Sequence, residues 1–364
     1  MRAPNEIDFW RGFALLTIFI NHVPGIVFER FTSRNFMLGD SAEMFVFLAG
    51  FSLRFVVGSS EKRAPLRNVA HRLLGRALEI YSAQILITML ALAILAGASL
   101  YLSQPALLDW HNASPVFHEP VETHIGLVLL THQLGYFNIL PLYVVLMTAA
   151  PLFAVLDRVS PWLLLAVSFA VWMGALVTGY NLPTWPIDGT WFFNPLGWQF
   201  IFVCGFLLAR RDGPGGFARR HLKWIRILAI PFVLLGIVSA WHGYSPSPGH
   251  VPAPKLVFLF NKTFDSPARV LQFLCVAAVV HGLWARLPRW FAPVSEYFSR
   301  LGRNSLEVFC VCSVLSLCGQ IAAYVYGGGI AKDTLVLSIG IIVMGLSAWL
   351  TEWRANARAS SLRV

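Results

Sequence analysis

The feature that most constrains this chain is a succession of apolar blocks close to twenty residues long, two of which carry ionisable side chains. A block of that length suits an α-helix crossing ~30 Å of hydrocarbon. Hydrophobic residues make up 57% of the 364 residues and charged residues 13%, which overrules the two soluble domains that the length alone would suit. The expectation is an all-α, polytopic membrane protein with about ten transmembrane helices. Length and breaker residues place the spans near 9–28, 42–57, 77–100, 136–156, 162–179, 192–209, 225–241, 268–286, 304–325 and 334–350.

The first two blocks form a hairpin from Ile7 to Arg54, with IDFWRGFALLTIFINHVPG on one arm and RNFMLGDSAEMFVFLAGFSLR on the other. In the first arm Asp8, Arg11 and His22 share one helical pattern. Arg11 and His22 stand about three turns apart, on one face and roughly 16 Å apart along the axis. Glu43 and Arg54 repeat that spacing in the second arm, with Gly50 on the stripe between them. Intramembrane charges are costly and mark a bundle interior, a water-filled cavity or a reaction path. Two readings follow: pairs that hold helices together, or groups that do chemistry.

The formal charge of +10 is explained by where the charges lie. With the N-terminus inside, most of the 28 lysines and arginines fall on inside segments. The loop 58–76 supplies Lys62, Arg63, Arg67, Arg72 and Arg76, and the stretch 210–226 adds Arg210, Arg211, Arg219, Arg220, Lys223 and Arg226. This is the positive-inside pattern for an even number of spans with both termini cytoplasmic. The basicity is therefore topological, and nucleic acid is set aside as a partner. The first block carries Asn21 and His22 with no small-residue cleavage site after it, so it reads as a retained span. The five cysteines fall inside spans as small buried residues, and no metal site or Gly-rich phosphate loop is expected.

Beyond the hairpin, Arg72, Arg76 and Glu79 share one helical face at the inner surface, either as headgroup anchors or as a docking face for a phosphorylated ligand. The outer loop 101–131 has no Lys or Arg and reads as solvated and acidic. In the outer segment YNLPTWPIDGTWFFNPLGWQ, Trp185, Trp191 and Trp198 lie beside Asn181 and Asn194. Such rings are either an interfacial belt or flat faces for sugar rings.

The opening arm resembles the integral-membrane acyltransferase superfamily, marked by an Arg, ten residues and a His; here these are Arg11 and His22. More specifically IDFWRG, NHVPG, RNFMLGDSAEMFVFLAGFS, YFNILPLYVVLM, WFFNPLGWQ and LGRNSLEVF, in order over most of the chain, resemble the OpgC family. The resemblance implies one integral-membrane acyltransferase domain over residues 1–364, in the bacterial inner membrane. It also implies succinyl-CoA as a cytoplasmic co-substrate, with no permanently bound cofactor, and a periplasmic osmoregulated glucan as acceptor. The family's catalytic His falls on His22, its charged second-span position on Glu43, and its arginine pattern on Arg72 and Arg76. Ala49 departs from the pattern, which has Ser at that place.

These residue types suit the chemistry. Acyl transfer from a thioester to a sugar hydroxyl needs a general base, a role that fits His22 near neutral pH, with a carboxylate such as Glu43 to hold the imidazole. Donor binding is expected from Arg11, Arg72 and Arg76, with Arg54 as one candidate for the succinyl carboxylate. Acceptor binding is expected from Trp185, Trp191, Asn194 and Trp198. The alternatives are an O-acetyltransferase of another envelope glycan, or a proton-coupled secondary transporter.

Overall fold

The computed structural model describes residues 4–58, 65–286 and 289–361. Lys62 and Arg63 of the expected inside loop, and the extreme chain ends, lie outside these. The described chain is helical throughout, with no strand and an isolated bridge between Pro183 and Thr190. The helices begin with α1 (Glu6–Asn21), α2 (Ser41–Val57) and α3 (Leu66–Tyr101), then the short α4 (Ser114–His118) and α5 (Pro120–Val128). There follow α6 (Ile139–Val159), α7 (Pro161–Thr178), α8 (Pro195–Leu208), α9 (Gly213–Arg220), α10 (Leu222–Trp241) and α11 (Lys255–Phe258). The chain closes with α12 (Pro267–Val280), α13 (Ala292–Arg303), α14 (Ser305–Tyr326) and α15 (Ile330–Ser361).

Every expected span coincides with a helix, but the helices differ in reach. Six described helices are long and apolar enough to cross a membrane: α3, α6, α7, α10, α14 and α15. The chain is thus a multi-pass membrane protein. The other four expected spans correspond to α1 (16 residues), α2 (17), α8 (14) and α12 (14), short of the ~20 residues a straight crossing needs. In α8 nearly every side chain is buried by protein, whereas α10 shows most of its surface to its surroundings. A helix enclosed by others meets little lipid, so its length is set by packing.

Breakers explain the boundaries. The first block was expected to run to residue 28, but α1 ends at Asn21; Pro24 follows, Gly25 takes φ +81°, and Val27–Phe31 forms a 3-10 turn. In the opposite sense α3 begins well before residue 77. Its 36 residues extend about 54 Å at 1.5 Å per residue, so the turns carrying Arg67, Arg72 and Arg76 stand beyond the apolar part. The loop 101–131 holds the short helices α4 and α5, and α13 precedes the ninth block.

Small residues bring helices together, as they must where lipid is as apolar as the side chains. A Cβ on Gly12 of α1 would run into the Phe298 carbonyl of α13. Gly50 of α2 meets the Phe202 carbonyl of α8 in the same way. These contacts hold the hairpin α1–α2 in the middle of the bundle.

Candidate functional site

Three cavities among the described residues lie along α1 or just beyond its end, and one of them, of about 830 Å³, lies along its first turns against α2 and α12 and shares Arg11 with the cavity described next. That cavity, of about 550 Å³, opens at the N-terminal half of α1, between α1, α2, α3, α6 and α14. Arg11, Arg72 and Arg76 line it together with Ser52, Tyr143 and Ser305, over apolar walls from Phe45, Leu140 and Phe309. Three arginines drawn from two helices thus converge on one space. The guanidinium of Arg11 reaches the Leu48 carbonyl at 3.4 Å, and Arg76 pairs with Glu79 at 2.7 Å on the exposed rim. The Tyr143 hydroxyl is buried and has no hydrogen-bond partner among the described residues. Leaving a buried hydroxyl unsatisfied costs free energy, so a polar occupant of the cavity is favoured.

His22 caps the other end of α1, its N–H donating to the Ile18 carbonyl at 2.9 Å. Its ring packs edge-on against Tyr136, centroids 4.8 Å apart. Its Nδ1 is buried without a hydrogen-bond partner. Gln320 of α14 fixes the backbone here: its amide nitrogen donates to the His22 carbonyl. The Gln320 oxygen then accepts from His111 Nε2 at 2.6 Å, which assigns the His111 proton to that nitrogen. Outside the spans, burial lowers the His111 pKa below the ordinary value, with the Gln320 bond opposing.

Glu43 does not partner His22. It is the third residue of α2, and one of its oxygens accepts the Asp40 N–H at 2.8 Å in a capping box. The other accepts from Arg269 of α12, which also donates to the Leu38 carbonyl at 2.9 Å. Asp40 in turn pairs with Lys262. Burial pushes the Asp40 carboxyl up, but Lys262 and Arg269 outweigh it and hold the group well below the usual carboxylate range. The expected dyad is thus replaced by a buried ion cluster that fastens α2 to the segment before α12. A fully buried carboxylate takes the nearest cation, and that cation is Arg269.

Arg54 is likewise committed. It donates to Asp157 of α6 at 2.8 Å, while Arg210 holds the other Asp157 oxygen at 2.6 Å and Asp212 as well. The guanidinium lies 5.4 Å from the Phe206 ring. It is a buried helix tie, and it does not line the arginine cavity.

The expected acceptor residues are mostly internal. Trp198 is fully buried and its indole N–H donates to the Lys262 carbonyl at 3.0 Å. Asn194 caps α8 through Leu196 N–H at 3.0 Å and donates to the Tyr180 carbonyl at 2.9 Å. Trp191 is buried, its carbonyl held by Asn181 at 2.7 Å. Trp185 alone of the four is exposed. The segment closes the bundle end, because its amides are needed to satisfy the irregular backbone between α7 and α8. Trp191, Asn194 and Trp198 therefore offer no free face or amide to a sugar.

Several participants escaped the sequence reading. Lys262 and Arg269 stand close together in NKTFDSPARV at the head of an apolar block, a visible signal whose partners lie more than two hundred positions away. Tyr136 opens the YFNILPLYVVLM segment and His111 lies in the outer loop, but nothing local joined them to each other or to Gln320, since the three come from separate segments.

No curated protein matches the chain, and no solved structure does. A protein-family profile, OpgC protein, matches residues 3–356. With that match over nearly the whole length, the chain belongs to the OpgC family.

Proposed function

We propose that the protein is a membrane O-acyltransferase that moves a succinyl group from cytoplasmic succinyl-CoA to hydroxyls of a periplasmic osmoregulated glucan. The observation that carries this reading is the convergence of Arg11, Arg72 and Arg76 on one cavity that also contains the unpartnered Tyr143 hydroxyl. Guanidinium groups are permanently charged forked donors suited to the phosphates of a nucleotide donor. The pantetheine arm then runs along the apolar wall formed by Phe45, Leu140 and Phe309 toward the His22 end of α1.

In the reaction His22 accepts the proton of a glucan hydroxyl as its oxygen attacks the thioester carbonyl. The C–O bond forms, the C–S bond breaks, and the proton passes from the imidazolium to the departing CoA thiolate. Gln320 supports the step by fixing the backbone on which the ring sits. The test is the full chain in liposomes, with succinyl-CoA on one face and glucan on the other. Succinylated glucan formed across the bilayer is the expected result. Absence of transfer from succinyl-CoA, with acetyl-CoA accepted in its place, would replace the donor; absence with both would overturn the reading.

A further inference from the structure

A further cavity, of about 740 Å³, lies at the C-terminal end of α1, opposite the arginine cavity. Its wall is the chain turn Val23–Ile26 that follows His22, together with Asp109, Trp110, His111, Tyr136, Gln320, Tyr324 and Asp333. We infer that this cavity is the sugar-binding subsite for the acceptor, a neutral hydroxyl-bearing ring. The inference rests on the transferase reading for its chemistry and on the cavity itself for its location.

Three observations point the same way. First, the cavity mixes aromatic faces with hydrogen-bonding groups. Trp110 and Tyr324 form an edge-to-face pair at 5.1 Å, and Tyr324 is half exposed, so its ring is accessible. Asp109 adds a carboxylate that can accept from hydroxyls, while His111 and Gln320, joined to each other, form the polar part of the wall. Secondly, its lining includes two carboxylates, Asp109 and Asp333, and no lysine or arginine. A phosphate or an anionic headgroup would be repelled there, whereas a neutral polyol is not. Thirdly, its backbone is strained where the cavity is made. His111, Asn112 and Tyr136 all take positive φ, at 56°, 63° and 65°, values that non-glycine residues seldom adopt. Such strain persists only where surrounding contacts enforce it, and it gathers at ligand sites. Here the Gly135 N–H holds the His111 carbonyl at 2.9 Å, locking the two strained stretches to each other.

The cavity is coupled to the proposed base at two points. Tyr136 packs on the His22 ring, and Gln320 joins His111 to the His22 carbonyl. A sugar seated on Tyr324 and Trp110 is therefore linked to the proposed base through Tyr136, which both lines the cavity and packs on the His22 ring.

The experiment uses the full-length protein and short glucose oligosaccharides as the probe. Binding without donor is read by saturation-transfer NMR, and transfer at saturating succinyl-CoA gives the acceptor KM. Tyr324→Ala, at an exposed position, should raise the acceptor KM about tenfold, the equivalent of ~1.4 kcal/mol, and leave the donor KM unchanged. Tyr324→Phe should keep the parent value, and Asp109→Asn should raise it less than Tyr324→Ala. Tyr244→Ala, an exposed aromatic that lines no part of this cavity, should behave as the parent. Acceptor KM and oligosaccharide binding both unmoved in folded Tyr324→Ala and Asp109→Asn proteins would overturn the subsite, as would a parent protein that binds no oligosaccharide. A parent that binds oligosaccharide through Tyr324 yet transfers no acyl group would leave the subsite standing and remove the transferase reading instead.

Discussion

Two of the cavities around α1, the arginine-lined one toward its N-terminal half and the one beyond its C-terminal end, are built from opposite chemistry. One is lined by Arg11, Arg72 and Arg76 over aliphatic and aromatic walls, the other by Asp109, Asp333 and exposed rings without a lysine or arginine. One helix of 16 residues connects them, with Arg11 toward one end and His22 at the other. On the proposed reading, the difference would let one membrane protein take an anionic donor at one end of α1 and a neutral acceptor at the other, with the proposed base at the second end.

The comparison breaks most readily at His22. His22→Ala should lower succinyl transfer by about 10²–10⁴-fold, the usual contribution of a positioned base, while nucleotide and oligosaccharide binding both persist. Steady-state transfer and separate binding measurements on the purified variant decide this. Turnover near the parent rate in a folded His22→Ala protein would remove the link between the cavities.

Next in size is the contrast between charges that line a cavity and charges that tie helices. Asp157→Ala leaves Arg54 and Arg210 buried without their shared carboxylate and should destabilise the protein by about 3–5 kcal/mol. Glu43→Ala, which leaves Arg269 only its longer carboxylate pairing, with Asp40 at 3.8 Å, should act in the same sense. Denaturation in detergent measures both. Loss of transfer with unchanged stability would return Arg54 or Glu43 to the chemistry.

Smaller effects should follow from the arginine cavity itself. Arg72→Ala should raise the apparent requirement for succinyl-CoA about tenfold, within the range for losing a charge-assisted hydrogen bond, and leave the acceptor KM alone. Arg72→Lys should recover only part, because an ammonium lacks the fork. Equal shifts in both KM values would show that the two sites are not separate.

The smallest effect concerns acid. Burial lowers the pKa of both His111 and His132, opposed by Gln320 and by the Asn112 carbonyl respectively, so the folded state favours their neutral forms. Protonation then favours the unfolded chain. Stability should fall as pH drops through the unfolded value near ~6.5 and continue falling toward the lowered folded values. His111→Gln should flatten the profile of the melting midpoint between pH 7 and 5, while nucleotide binding at the arginine cavity stays constant. A profile unchanged by the substitution would remove His111 from that account.

The helical class and the placement of most blocks were legible because hydropathy blocks of this length have few other uses in a folded chain. The shared cavity of Arg11, Arg72 and Arg76 was legible in part, since the basic opening of α3 and the Arg11–His22 spacing both show as local periodicity. Glu43 misled because its period within α2 shows a face but gives no partner; Arg269 arrives from a helix 226 positions later. The aromatic segment 185–198 misled because composition cannot distinguish a ring that faces a sugar from one that plugs a bundle end. Trp198, fully buried, does the second.

By itself the sequence determined the membrane class, the helices and the polar stripes of the first hairpin, all of which follow from patterns within single blocks of about twenty residues. Tertiary structure alone decided which polar groups are spoken for. Glu43 and Arg54 are held by partners more than a hundred positions away and Asn194 by the nearby Tyr180 carbonyl, whereas among the described residues the Tyr143 hydroxyl and the His22 Nδ1 have no hydrogen-bond partner. It also decided that His111, Tyr136 and Tyr324, which lie in three separate segments, stand around one cavity. The physical reason is that hydropathy acts along the chain, while hydrogen bonds and ion pairs are satisfied by whatever the fold brings within about 3 Å.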